Sequence, residues 1–253
     1  MPEYTDHVAP EGLRTRGTVI VVPGRGETRA TYQRFARRLA ADAYRVRVID
    51  TPAIDAGDPT GTLDHFAAHL TEAIDGTAAE DGTVRPVVLV GSDTGAALVA
   101  AHTGRVDATP APDAVVLAGL PARTATAVHS WDGELDVRTA CPAHRRTLTD
   151  DTEVRRGALN DTVPEALLAA ALDGDLTVPA LILTGDADPL ADRDELHRTA
   201  KSLDRARLSV VRGAHHDVLN DLQHRSVAAE VVTFLETLRE DLVPLVTVET
   251  SAW

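Results

Sequence analysis

Residues 86–104, PVVLVGSDTGAALVAAHTG, join a β-branched apolar run, a short polar turn and an alanine-rich stretch. This pattern predicts a buried strand, a sharp turn and a helix, in that order. Glycines stand two residues before and two residues after Asp93. A turn this tight strains the backbone of its central residue, so the neighbours at these two positions must be small. Asp93 is therefore the predicted centre of the turn, because centring it on Ser92 would put Val90 and Thr94 where the glycines belong.

Short β-branched runs alternate with helical patterns along most of the chain. The strand candidates are 17–22, 45–50, 86–90, 114–118, 179–184 and 207–212, and the helix candidates are 29–42, 62–76, 95–104, 191–203 and 224–240. The strand candidates are apolar throughout, which is typical of strands buried on both faces. The alternation predicts an α/β fold with a mainly parallel, doubly wound sheet.

About sixty residues separate the fourth and fifth strand candidates, far more than a single helical connection needs. Two helices are expected within this stretch, at 152–158 and 164–173. The length of the connection predicts a lid insertion at 124–178 over the carboxyl edge of the sheet. The core is then expected to consist of residues 1–123 and 179–253.

Composition narrows the class of protein. The 253 residues carry a formal net charge of −14, which argues against nucleic acid or an anionic membrane as a partner. A single cysteine, Cys141, excludes an internal disulfide and a cysteine-based zinc site. There is no apolar run of about 18 residues, and the first residues lack the pattern of a signal peptide. We therefore expect a cytoplasmic protein with no membrane span.

Polar residues follow four of the strand candidates, where ligands bind in open parallel sheets. They are PGRGE at 23–27, the turn at Asp93, TGDADPL at 184–190 and GAHHDVLND at 213–221. The order and spacing of these motifs resemble the α/β-hydrolase superfamily, nearest to its monoacylglycerol lipase or lysophospholipase branch. The resemblance covers about residues 17–240 apart from the lid.

The resemblance implies a catalytic triad. Its members, in the superfamily's order of nucleophile, acid and histidine, are Asp93, Asp188 and His216. The family's acid lies three residues after the glycine of the third motif, which selects Asp188. The family's G-x-x-H loop selects His216 over His215.

The resemblance also implies an oxyanion hole. PGRGE looks like the family's H-G-x-G-E loop, with Pro23 in place of the histidine. In that family the backbone N–H of the loop's third residue, here Arg25, is one donor. The N–H of the residue after the nucleophile, here Thr94, is the other.

An aspartate at the turn, where a serine is usual, changes the expected chemistry. A carboxylate is already ionised at neutral pH, because its pKa is about 4. Its attack on an ester would give an anhydride and gain nothing, whereas attack on a saturated carbon gives a stable alkyl ester. Water activated by His216, with Asp188 behind it, would then hydrolyse that ester. Members of the superfamily with this arrangement include haloalkane and haloacid dehalogenases and epoxide hydrolases. We therefore expect a cofactor-free hydrolase of a small organic molecule, with no metal.

The chain departs from these subgroups in its accessory residues. All three tyrosines lie outside the lid, and Thr94 stands where haloalkane dehalogenases place a halide-binding tryptophan. Within the lid, His129, Trp131 and His144 are candidates for binding the substrate or its leaving group. Arg25 is a further candidate, for pairing with a substrate carboxylate.

Two other functions stay open at this point, because a fold does not determine a function. In the first of these functions, Asp93 is the general base of a lyase, cyclase or isomerase. In the second, the protein is a non-catalytic member that binds a small molecule or a protein.

Overall fold

The computed structural model describes residues 4–78, 82–124 and 127–251. Within these residues the strands are β1 (Tyr4–His7), β2 (Thr18–Val22), β3 (Arg45–Ile49), β4 (Val87–Ser92), β5 (Ala114–Ala118), β6 (Ala180–Gly185) and β7 (Ala206–Val211). They form one sheet in the order β1-β3-β2-β4-β5-β6-β7. Strands β2 to β7 are parallel, and β1 pairs antiparallel with β3. The predicted α/β fold with a mainly parallel sheet is confirmed.

The sequence analysis missed β1. Its sequence, YTDH, carries no apolar run, and its residues alternate between exposed and half-buried. An edge strand with one neighbour needs little apolar surface, so it leaves only a weak signal in the sequence.

The helices of the described residues are α1 (Gln33–Ala41), α2 (Pro59–Asp75), α3 (Thr94–Thr103), α4 (Trp131–Arg138), α5 (Pro142–Asp150), α6 (Glu165–Leu172), α7 (Arg193–Ser202) and α8 (His224–Thr237). The helix predicted at 152–158 is wrong, because this segment forms turns. Gly157 has φ +82°, outside the helical region, and its N–H donates to the carboxylate of Glu134. None of the helices in the described part of the chain is long and apolar enough to cross a lipid bilayer.

The sheet separates two apolar clusters, which explains its continuously apolar strands. Along β4, Val88 and Val90 face the cluster that contains α1 and α8. Val87 and Leu89 face the other cluster, which contains α2, α3 and α6. Because successive side chains of a strand point to opposite faces, every residue of such a strand must be apolar.

The segment between β5 and β6 contains helices of two kinds. Helices α4 and α5 share a small apolar cluster of their own, formed by Leu135, Leu148 and Val154, with Trp131 packed against it. Helix α6 instead buries its leucines in the main core beside α3. The division into a core and a lid at 124–178 stays a prediction.

Candidate active site

Asp93 lies in a strained turn between β4 and α3. Its φ of +50° and ψ of −120° fall in a region that side-chain-bearing residues rarely adopt. The turn is held by the backbone, since the N–H of Asp93 donates to the carbonyl of Ala118 at 2.9 Å. A Cβ on Gly91 would lie 2.4 Å from the carbonyl oxygen of Gly95, and one on Gly95 would lie 2.3 Å from that of Val22. Both glycines are therefore required for this turn to form.

The structure brings the three predicted triad side chains together. Nε2 of His216 lies 3.1 Å from Oδ1 of Asp93, and its Nδ1 lies 2.9 Å from Oδ2 of Asp188. The other oxygen of Asp188 accepts from the backbone N–H of Leu190 at 2.8 Å. These contacts hold the imidazole between two carboxylates, with Asp93 2% exposed and His216 1% exposed.

The loop that carries His216 is attached to the segment between β5 and β6. The N–H of His216 donates to the carbonyl of Val137 at 3.2 Å, and the N–H of Asp217 donates to that of Arg138 at 2.9 Å. The C-terminal end of α4 thus supports the histidine loop through backbone contacts, which do not depend on side-chain identity.

Arg25 covers Asp93 with its side chain as well as its backbone. Its Nε donates to Oδ2 of Asp93 and its Nη2 to Oδ1, both at 2.8 Å. Its backbone N–H, the predicted oxyanion donor, donates to Oδ2 at 2.8 Å. The Thr94 hydroxyl lies 3.2 Å from the same oxygen. In this resting state both carboxylate oxygens are occupied by donors.

The ion pair between Arg25 and Asp93 is a feature that the sequence analysis missed. We expected the Arg25 backbone to serve an oxyanion and its side chain to face a substrate. The sequence did contain a signal for this ion pair. A buried carboxylate needs a compensating cation, and Arg25 follows β2, the strand next to β4 in the sheet.

The charges of the site follow from these contacts. Burial favours a neutral Asp93, but the Arg25 guanidinium and the hydrogen bond from His216 outweigh it and hold the pKa of Asp93 well below its usual range. Burial lowers the pKa of His216, but Asp188 and Asp93 together raise it to about 10. At neutral pH the resting site therefore contains an ionised Asp93 and a protonated His216.

A cleft of about 1190 Å³ lies against this site. Arg25 and Thr94 form part of its wall, together with the loop after β3 and residues of the segment between α5 and α6. Asp93, Asp188 and His216 are not among its lining residues. The Arg25 guanidinium therefore stands between the cleft and the carboxylate of Asp93.

The three lid residues predicted to bind the substrate do not line this cleft. His129 is exposed, and Trp131 packs against the small α4–α5 cluster, with the Arg156 guanidinium 5.0 Å from its ring centre. His144 is buried, and its Nε2 lies 2.8 Å from Oδ2 of Asp217. The structure thus does not bring these three side chains to the triad.

A second buried charge cluster adjoins the site, and the sequence analysis missed it. The Arg138 guanidinium lies 2.9 Å from Glu134, 3.5 Å from Asp217 and 3.9 Å from Glu27. Burial and the charge of Asp217 raise the pKa of Glu27 to about 8. Glu27, His144 and Asp217 bring one ligand atom each within 4.8 Å of one another, as in a metal site. Arg138, however, already supplies a cation to both carboxylates.

The fold and the turn at Asp93 define an α/β-hydrolase. Residues 14–223 match the family model described as serine aminopeptidase, S33, and the chain belongs to that family. Asp93 at the turn departs from the serine in this description. No curated protein matches the sequence.

Solved structures with similar folds cover nearly the whole chain. A monoglyceride lipase from Saccharomyces cerevisiae superimposes with a TM-score of 0.72 at 13% identity, over 93% of this chain and 91% of the lipase. The monoacylglycerol lipase of Paleococcus ferrophilus gives 0.66 at 18% identity, over 93% and 98%. The type II thioesterase YbtT of a yersiniabactin pathway gives 0.57 at 18% identity, over 94% and 99%. At these identities the likeness concerns the fold.

Proposed function

We propose that this α/β-hydrolase acts on a small organic molecule through a covalent alkyl ester on Asp93. The observation that carries the proposal is the position of Asp93. Its carboxylate projects from the turn after β4 and lies within hydrogen-bond distance of His216, which in turn contacts Asp188. An aspartate at this position suits attack on a saturated carbon, because that attack gives a stable alkyl ester that water can then hydrolyse.

The charge state of Asp93 favours the role of nucleophile over that of general base. A carboxylate whose pKa is held well below its usual range is ionised at neutral pH but accepts a proton poorly. In the first step, an oxygen of Asp93 forms a bond to the substrate carbon. The leaving group departs with the electron pair of the bond that breaks. The low pKa of Asp93 thus argues against a lyase, cyclase or isomerase in which Asp93 removes a proton.

Hydrolysis of the ester requires a neutral His216. Esterification removes the charge of Asp93, one of the two carboxylates that raise the pKa of His216, so that pKa falls and the proton is released to solvent. The neutral imidazole then takes a proton from water as the water attacks Cγ of Asp93. The N–H groups of Arg25 and Thr94 stabilise the oxyanion. Collapse breaks the bond between Cγ and the ester oxygen, and the departing alkoxide takes the proton from His216 to become the product alcohol. The carboxyl proton left on Asp93 returns to the imidazole.

The ion pair between Arg25 and Asp93 favours the non-catalytic function as a second candidate. Both oxygens of Asp93 are covered by donors, and neither faces the cleft. A protein that binds a ligand in the cleft without turning it over would need no further rearrangement. Under this second candidate function, Arg25 and Asp93 form a permanent wall of a binding site.

Intact-protein mass spectrometry of the His216→Ala variant tests the proposal. The variant is incubated with alkyl halides, epoxides and activated esters, and any adduct is mapped by peptide fragmentation. A stable adduct on Asp93 is expected, because the first step needs no base and the second step does. The matched control is His215→Ala, which changes the neighbouring histidine and should turn substrate over without accumulating the adduct. If no compound labels Asp93 but compounds still bind in the cleft, the non-catalytic function is supported instead.

A further inference from the structure

We propose that Arg25 binds the anion that the substrate releases, and that the substrate is an alkyl compound whose leaving group departs as an anion, such as a halide. The inference rests on the covalent mechanism proposed above. It assigns to the Arg25 side chain a role that the oxyanion hole does not include, and it separates this substrate class from epoxides, in which the leaving oxygen stays attached.

The first argument is the charge balance of the buried site. At rest, two cations, Arg25 and protonated His216, face two carboxylates, Asp93 and Asp188. Esterification turns Asp93 into a neutral group, so the site holds one positive charge in excess until His216 releases its proton. A buried cation without a counter-ion is costly. The anion expelled in the same step restores the balance if it takes the place of Asp93 on the guanidinium.

The second argument is the position of the guanidinium. Its Nε and Nη2 cover the two oxygens of Asp93, so a substrate carbon cannot reach either oxygen until they move. Arg25, whose side chain is 10% exposed, lies both in the wall of the cleft and against Asp93. The displaced guanidinium therefore moves towards the cleft.

The third argument is the direction of the displacement. Asp93 attacks from the buried side, and in-line substitution at saturated carbon expels the leaving group on the opposite side, towards the cleft. His216 contacts Asp93 from the interior and does not line the cleft. Arg25, and not His216, is thus on the side where the leaving group emerges.

Arg25 is also tethered in a way that permits an exchange of partners. Its Nη1 donates to the carbonyls of Leu159 at 3.0 Å and Asp161 at 2.8 Å, in the segment between α5 and α6. These two bonds hold the end of the side chain at the cleft wall. Nε and Nη2 are then the donors that exchange the carboxylate for the released anion.

The proposed step is balanced. The bond between carbon and halogen breaks, and both of its electrons leave with the halide, while an oxygen of Asp93 forms the new bond to carbon. No proton moves in this step. Over the whole turnover, water and the alkyl halide give the alcohol, a halide ion and one proton, which His216 passes to solvent.

The test measures adduct formation in the His216→Ala background, with a bromoalkane and an epoxide of the same carbon number. We expect the bromoalkane to label Asp93, and Arg25→Gln to slow that labelling about 100-fold by removing the charged donor to bromide. Arg145→Gln is the control, since Arg145 pairs with Asp136 and does not line the cleft. It should leave the rate unchanged. Added guanidinium ion should partly restore labelling in Arg25→Ala, which it would not do if the arginine were only structural.

Each other outcome has a definite meaning. Equal or faster bromoalkane labelling in Arg25→Gln would show that the arginine only restrains Asp93, and would overturn the role proposed for it. Labelling by the epoxide but not by the bromoalkane would overturn the substrate class and leave the covalent mechanism standing. Absence of an Asp93 adduct with both compounds would overturn the covalent mechanism, and the inference with it.

Discussion

Arg25 and Asp93 form a two-point ion pair at the carboxyl edge of the sheet, with Nε and Nη2 of the arginine each 2.8 Å from a different carboxylate oxygen. Such a paired geometry is the strongest that these two groups can make. Under the proposed mechanism, Asp93 is therefore restrained before the reaction, and the first step must release that restraint.

Replacing Asp93 by serine should convert the site into a weak esterase. The serine hydroxyl would stand on the same turn beside His216, and loss of one carboxylate would lower the pKa of the histidine towards the range of a useful base. The measurement is the release of a chromogenic alcohol from a short-chain activated ester. Asp93→Ala is the control, and an esterase rate no higher than that of this control would contradict the assigned geometry.

Folding stability should decline at high pH because of His216. Although burial lowers the pKa of this histidine, Asp188 and Asp93 raise it to about 10, against about 6.5 in an unfolded chain. The stabilisation is complete below the unfolded pKa and is lost as pH rises through the folded one. Urea unfolding from about pH 6 to about pH 10 should show this decline, and a smaller one in His216→Gln. The same decline in both proteins would argue that other groups cause it.

Gly95→Ala should destabilise the fold by about 1–3 kcal/mol, the usual cost of overpacking. The added Cβ would meet the carbonyl oxygens of Val22 at 2.3 Å and Pro23 at 2.6 Å, which belong to the backbone and cannot rotate away. Gly104→Ala, at the other end of α3, is the matched control, because its nearest neighbour is an ordinary 3.4 Å away. Chemical denaturation should separate the two variants. A loss as large for Gly104→Ala would exclude close packing as the cause.

Arg138→Gln should cost about 3–5 kcal/mol, because it leaves buried carboxylates without their cation. Arg138 is fully buried among Glu134, Asp217 and Glu27. Arg145→Gln removes a partly exposed ion pair with Asp136 instead and should cost less than about 1 kcal/mol. Denaturant midpoints measure both. If the two variants lose similar stability, the buried carboxylates do not depend on the Arg138 cation.

The sequence predicted the parts of the molecule that depend on periodic burial and on steric limits. Apolar runs identified the strands buried on both faces, and the paired glycines identified Asp93, because no larger residue fits beside it. The triad candidates came from the resemblance to the α/β-hydrolase superfamily, and the structure brings their side chains within hydrogen-bond distance.

Interactions between residues far apart in the chain were harder to predict. In the sequence, Arg25 looks like a partner for a substrate carboxylate and Arg138 like an ordinary polar residue. The fold reveals which carboxylates of the protein surround them. Helix α4 was missed although Ser130 caps it, accepting from the N–H of Gly133, and acidic residues follow in its first turn. These start signals are local, but a short helix without a strong apolar stripe is easily overlooked.

The turn at Asp93 has a consequence for how such a site changes over evolutionary time. Two features hold the turn: the close packing at its two glycines and the hydrogen bond from the Asp93 N–H to the carbonyl of Ala118. Neither feature involves the side chain at position 93. The backbone of the turn therefore forms whichever nucleophilic side chain stands at position 93. A lineage could cross between acyl-transfer and alkyl-transfer chemistry at this one position, with the surrounding charges, rather than the backbone, having to adapt.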